Sequence, residues 1–129
     1  RNAGLGMHRH SVDSLIFGCR NERLEVCLIQ HADGPAEGQW GIPGDFLYDN
    51  ESLEDAAVRT LRTRTGIDDI YLDQLHTFSA LDRYPGERVI TTAYYSLVRP
   101  QDYEAVAGAH ELDAQWLQRL ASFLSFGDV

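Results

Sequence analysis

A chain of 129 residues that is 43% apolar and 24% charged has the size and composition of one globular domain with a core of its own. Its 11 basic residues, all Arg, against 20 acidic ones give a formal net charge of -9, which argues against this domain alone gripping a nucleic-acid backbone. No apolar run approaches the roughly 18 residues of a membrane span and no secretory leader is legible, so no membrane partner is expected and a cytoplasmic setting is.

Residues 1–11 read as a tail ahead of a domain at 12–129, itself expected to be the N-terminal part of a longer protein. Val12 to Cys19 is apolar and strand-like, broken by Gly18. The polar turn Arg20-Asn21-Glu22-Arg23 leads to Leu24–Gln30, where alternating Leu24, Val26 and Leu28 predict the second arm of a hairpin. Cys19 and Cys27 lie in these two arms and are expected as buried free thiols, which fits a reduced compartment. His31–Gln39 is rich in Gly and Pro and predicts a loop.

Trp40 to Ile67, WGIPGDFLYDNESLEDAAVRTLRTRTGI, carries the strongest local signals. Ser52 stands where an N-cap belongs, with Asp55 three residues on as a capping-box partner. Leu53, Ala56, Ala57 and Leu61 repeat at helical spacing, and Gly66 supplies the stop. Asp68–Ala80 predicts a long strand with a bulge, and Leu81–Glu87 a Pro-Gly turn. Arg88–Val98, β-branched and aromatic, is the clearest strand, ended by Pro100. Asp102–Ala109 fits a short helix or a loop. Leu112–Leu117 predicts a short strand with Trp116 inward, and Leu120, Phe123, Leu124 and Phe126 form an apolar tail that hints at a homodimer or a missing segment. Strands around one good helix make the class mixed α/β.

The Trp40–Ile67 stretch resembles the Nudix box, with matches at Glu51, Arg59, Leu61, Gly66 and Ile67 and in the lead-in Trp40-Gly41-Ile42-Pro43-Gly44. The resemblance implies an α/β/α sandwich with a mixed β-sheet and a closing C-terminal helix after the last strand; either that helix is lost here or the chain is part of a longer protein, the second being expected. The box is degenerate: Asp45 replaces its first Gly, and Thr60, Thr63 and Arg64 stand where the family places three metal-binding glutamates. Hydroxyls and a permanently charged guanidinium do not replace carboxylates around Mg²⁺. No metal and no catalytic residue is therefore expected, with Glu51 and Asp45 as the residual candidates for a weak ion. At about 100° per residue, Thr60 and Arg64 point with the apolar stripe towards the sheet. Arg64 is either a snorkelling helix residue or the seat of an anionic ligand group, and Arg59 an ion-pair partner of Asp55 or Glu51. His8, His10, His31, His76 and His110 show no metal spacing.

The charged turn Leu81-Asp82-Arg83-Tyr84-Pro85-Gly86-Glu87-Arg88, with the strand after it and Asp69–Leu75 before it, is similar to the Nudix-related transcriptional regulators. That resemblance implies a non-catalytic sensor of a sugar or nucleotide-sugar such as ADP-ribose, contacting DNA only through a helix-turn-helix module absent from this chain. Asp82, Arg83, Glu87 and Arg88 are then candidate ligand contacts beside Arg64, with Trp40, Phe46 and Tyr48 as stacking faces. The alternatives are a Nudix hydrolase that uses Mg²⁺ or Mn²⁺ on a reduced site, and a purely structural or interaction domain.

Overall fold

The structure, a computed structural model, describes residues 4, 6, 8–84 and 86–118. Its strands are β1 (Arg9–Arg20), β2 (Arg23–His31), β3 (Trp40–Gly41), β4 (Gly44–Phe46), β5 (Asp73–Phe78), β6 (Val89–Leu97) and β7 (Glu111–Leu117), with one helix, α1 (Leu53–Thr65), and a 3-10 turn at Pro100–Asp102. The strands form one sheet in the order β3-β2-β1-β6-β5, with β4 added to β1 and β7 to β2. β1 and β6 run parallel, from Arg9↔Val89 to Phe17↔Leu97, and the other pairs are antiparallel, so the sheet is mixed as expected. β1 starts at Arg9, so residues 9–11, expected as tail, are sheet residues.

β1 lies mid-sheet and its residues Ser11 to Ser14 are all buried, the mark of a strand covered on both faces. One face packs Val12, Ile16, Cys27 and Tyr94 against Ala56, Ala57, Leu61 and Ile67 of the helical segment. The other packs Val26, Leu28, Ile42 and Ala93, with Trp40, Phe78 and Leu117 against them. The two turn residues of the β1–β2 hairpin have positive φ, 52° at Asn21 and 64° at Glu22, as a type I′ turn requires.

The α1 boundaries follow from local chemistry. Ser52 accepts a 3.0 Å hydrogen bond from the Asp55 N–H, and Gly66 ends the helix at φ 74°, its N–H donating to the Arg62 carbonyl. Glu54 and Asp55 in the first turn and Arg62 and Arg64 in the last complement the helix dipole. The helix buries Ala56, Ala57, Thr60, Leu61 and Thr65.

Two further expectations need correcting. The long strand expected over 68–80 shortens to β5, because Asp69 adopts a φ of 56° and its N–H donates a 2.9 Å hydrogen bond to the Asp68 carboxylate, a local turn. Ile70 and Leu72 instead pack on the helix-side core from an irregular segment. The expected bulge is there, between Gln74 and His76. Cys19 is exposed, near the solvent end of β1, while Cys27 is buried and its thiol pushed up to about 12 by burial. Trp116 does turn inward, its indole N–H donating to the Tyr103 carbonyl at 2.7 Å. The apolar tail expected at 120–126 lies outside the described residues. Among the described residues, no helix is long and apolar enough to cross a membrane.

Candidate functional site

The site grows from the two ends of α1. At its N-terminal end the loop after β4 returns Glu51 to Arg59. The Glu51 carboxylate accepts from Arg59 Nε at 2.9 Å and Nη2 at 2.7 Å, a forked pair, and from the Tyr48 N–H at 2.9 Å. Arg59 also donates to the Phe46 carbonyl at 3.0 Å and to Asp45 at 3.3 Å. This bonding holds the Glu51 carboxyl below its ordinary range, with the Arg59 hydrogen bond as the main cause, and raises Arg59 for the same reason. Of the two partners expected for Arg59, Glu51 is the one it takes.

At the C-terminal end Arg64 sits between two carboxylates. One guanidinium nitrogen meets Glu111 at the start of β7, whose side chain is 1% exposed, and the other lies 3.5 Å from Asp45. Asp45 thus links both arginines. The segment between the 3-10 turn and β7 straps this end of the helix: the Val106 N–H caps the Thr65 carbonyl at 2.7 Å and the Gly108 N–H the Arg64 carbonyl at 3.2 Å. Gly108 is needed for that approach, since a Cβ there would fall 2.1 Å from the Thr63 carbonyl oxygen.

Between these ends lies a cavity of about 240 Å³, lined by Asp45, Tyr48, Arg59, Thr63, Arg64, His110 and Glu111 among others. Next to it is a cavity of about 470 Å³, lined by His8, Arg9, His10, Phe46, Tyr48, Asp49 and Glu51 among others. Tyr48 belongs to both walls. Guanidinium groups cover the aromatic rings, Arg9 at 3.4 Å from the Phe46 centroid and Arg59 at 3.8 Å from that of Tyr48. Among the described residues, Thr60 Oγ1 and Arg64 Nε are buried without a hydrogen-bond partner. Below this region, on β1, burial pushes the Asp13 carboxyl up to about 7 despite the opposing pull of Arg83 and Arg64.

The positions that resemble the family's metal ligands therefore hold a buried hydroxyl (Thr60), a hydroxyl turned onto the helix, Thr63 to the Thr60 carbonyl at 3.3 Å, and a guanidinium (Arg64). The nearby carboxylates Asp45, Glu51 and Glu111 are each bonded to Arg59 or Arg64.

The other sequence candidates sit elsewhere. Trp40 packs on the far face of the sheet. Arg83 donates to the Phe78 and Val89 carbonyls at 3.1 Å and to Thr91 Oγ1 at 3.0 Å, holding the β5–β6 connection closed. Arg88 donates to the Ser79 carbonyl, and Glu87 pairs with Arg9 at 3.6 Å across an exposed surface. Neither these three nor Asp82 lines either cavity. Phe46 lines the larger one. Sequence reasoning missed Glu111, Arg9 and His10, whose approach depends on strand register and not on local spacing.

The NUDIX domain model matches residues 7–122. The ADPR responsive transcriptional repressor NtrR of Acinetobacter baylyi is 30% identical over 109 residues, covering 83% of this chain and 43% of that protein. The chain spans about four-tenths of the length of the curated relatives it matches. A MutT/nudix family protein from Enterococcus faecalis superposes with a TM-score of 0.80 at 30% identity, over 90% of this chain and 46% of that one. The NUDIX domain of Shewanella oneidensis NrtR, solved in complex with ADP ribose, superposes with a TM-score of 0.78 at 28% identity, over 92% of this chain and 77% of that one. With the mixed sheet, the capped helix and the surviving parts of the box, these similarities establish that the chain belongs to the Nudix family.

Proposed function

We propose that this domain binds ADP-ribose or a related nucleotide-sugar in the paired cavities beside α1 and acts as a non-catalytic sensor. The observation that carries the reading is Arg64, a guanidinium at a metal-ligand position, held between Asp45 and Glu111 with its Nε buried and unpaired. A fixed cation with a spare donor suits a pyrophosphate oxygen, and Arg59 next to it offers a second. Phe46 and Tyr48 offer faces for base or ribose, and the two cavities together fall within the roughly 300–1,000 Å³ of small-molecule sites. The donor set does not suit a divalent ion, since two permanent cations already occupy its carboxylates and oppose a third, so no cofactor is assigned. The ADPR-responsive Acinetobacter repressor and the ADP-ribose complex of the Shewanella domain support the ligand class. In this reading transcription is controlled through a DNA-binding segment outside this acidic domain.

The test is titration of the domain with ADP-ribose in chelator, read by thermal shift. Saturating ligand raises the melting temperature by the linkage relation, about 2.7 kcal/mol at a hundredfold excess over Kd. Arg64→Ala and Arg64→Lys both weaken binding, the Lys variant guarding against loss of fold. No shift at millimolar ligand, or an equal shift in both variants, contradicts the proposal. Metal-assisted hydrolysis on Asp45 and Glu51 with Mg²⁺ or Mn²⁺ is the second reading, favoured by the convergence of those carboxylates on one side chain, Arg59.

A further inference from the structure

A cavity of about 420 Å³ lies apart from the Arg64 region and shares no lining residue with it. Its walls come from Arg20 and Glu25 at the outer end of the β1–β2 hairpin, Tyr103 and Pro100 beyond β6, and Ala114 and Trp116 of β7. Glu25 is only 9% exposed, although its hairpin neighbours Arg23 and Leu24 are open to solvent. Its carboxylate Oε1 lies 3.1 Å from Arg20 Nη2, but without hydrogen-bond geometry. Glu25 Oε1 and Arg20 Nε are both buried and, among the described residues, neither has a hydrogen-bond partner. The cavity thus presents an unmet acceptor and an unmet donor side by side, and an unmet buried polar atom is costly enough to need an explanation.

We propose that this cavity is a second binding site, for a neutral cyclic polyol such as a monosaccharide. A hydroxyl accepts and donates through one oxygen, so a single group satisfies Arg20 Nε–H and Glu25 Oε1 together. Nε and Nη2 belong to one guanidinium, which keeps both partners within reach of that oxygen. Exposed Glu104 at the rim adds a negative charge beside the ion-paired Arg20, which disfavours a phosphate in this cavity. Trp116 and Tyr103, locked together by the indole hydrogen bond, supply an apolar wall for the carbon face of a ring. The proposal stands independently of the reading of the Arg64 site.

The experiment follows the Trp116 indole N–H resonance of the full chain during titration with D-ribose, D-xylose, D-glucose and myo-inositol, with ribose 5-phosphate as the charged control. Trp116→Phe assigns the signal against that of Trp40. The expected result is a saturable shift with at least one neutral polyol at millimolar concentration, weakened about tenfold or more in Glu25→Ala and less in Glu25→Gln, which keeps the side-chain size. Arg64→Lys leaves it unchanged, which separates this site from the other. No saturable shift with any neutral polyol overturns the proposal and leaves ordered water as the partner of both atoms. An equal response to ribose 5-phosphate, or an undiminished one in both Glu25 variants, overturns it as well.

Discussion

Removing the Arg64 cation leaves the Glu111 carboxylate, 1% exposed, with no counter-charge, and that cost measures how the site is built. Breaking a fully buried ion pair by deleting one partner costs about 3–5 kcal/mol. Arg64 retains 20% exposure and Asp45 29%, so water partly enters the gap and the expected loss for Arg64→Met is about 2–4 kcal/mol. Methionine keeps the apolar stem, so the loss reports the charge and not the packing. For a domain of this size the melting temperature falls by on the order of 10 °C. Glu111→Gln in the same background removes the orphaned charge, and the double variant recovers half or more of the loss, a coupling of about 1–3 kcal/mol. Urea unfolding followed by tryptophan fluorescence at fixed pH and salt gives all four corners of the cycle. The reasoning fails if Arg64→Met lies within about 0.5 kcal/mol of wild type or if the two substitutions are additive.

Other consequences are as sharp. Burial pushes the Asp13 carboxyl up to about 7 from its ordinary 3.8, so the folded state keeps its proton to higher pH than the unfolded chain; stability falls as pH rises through that window and levels off above it, and Asp13→Asn abolishes the slope in urea midpoints taken across it. Glu22 holds a φ of 64° in a turn position that favours Gly, so Glu22→Gly raises stability by about 0.5–1 kcal/mol, and a loss in the unfolding midpoint contradicts the turn assignment. Ser52→Ala, by removing the acceptor for the Asp55 N–H, costs about 1 kcal/mol in the same assay, whereas an unchanged midpoint shows the cap to be idle.

How much the sequence disclosed depended on how local the cause was. The α1 limits were legible because Ser52, Asp55 and Gly66 act within one turn of themselves. The hairpin and β6 were legible because their side chains alternate at strand period or are β-branched. The Glu51–Arg59 pair was within reach as one of two options, since both residues belong to one loop and helix. Glu111 was not, because it meets Arg64 across 47 positions through the register of β7 on β2, and nothing in a single sequence encodes that register. The structural part of the charge-rich 82–88 turn was out of reach for a related reason. Charges between two strands suggest a ligand contact, but Arg83 donates to the Phe78 and Val89 carbonyls and Arg88 to that of Ser79, so both guanidiniums tie the connection to the strand ends. Asp13 carried no signal either, since one acid within an apolar strand reads the same whether it faces solvent or core.

The central claim is recognition without hydrolysis, and ³¹P NMR of ADP-ribose incubated with the domain tests it most directly, with and without Mg²⁺ or Mn²⁺. The account predicts that the two pyrophosphate resonances shift or broaden with added protein and persist in every metal condition. New resonances of two phosphate monoesters that grow with time under Mg²⁺ or Mn²⁺, and vanish with Glu51→Gln, would contradict it and assign metal-assisted hydrolysis to the same cleft.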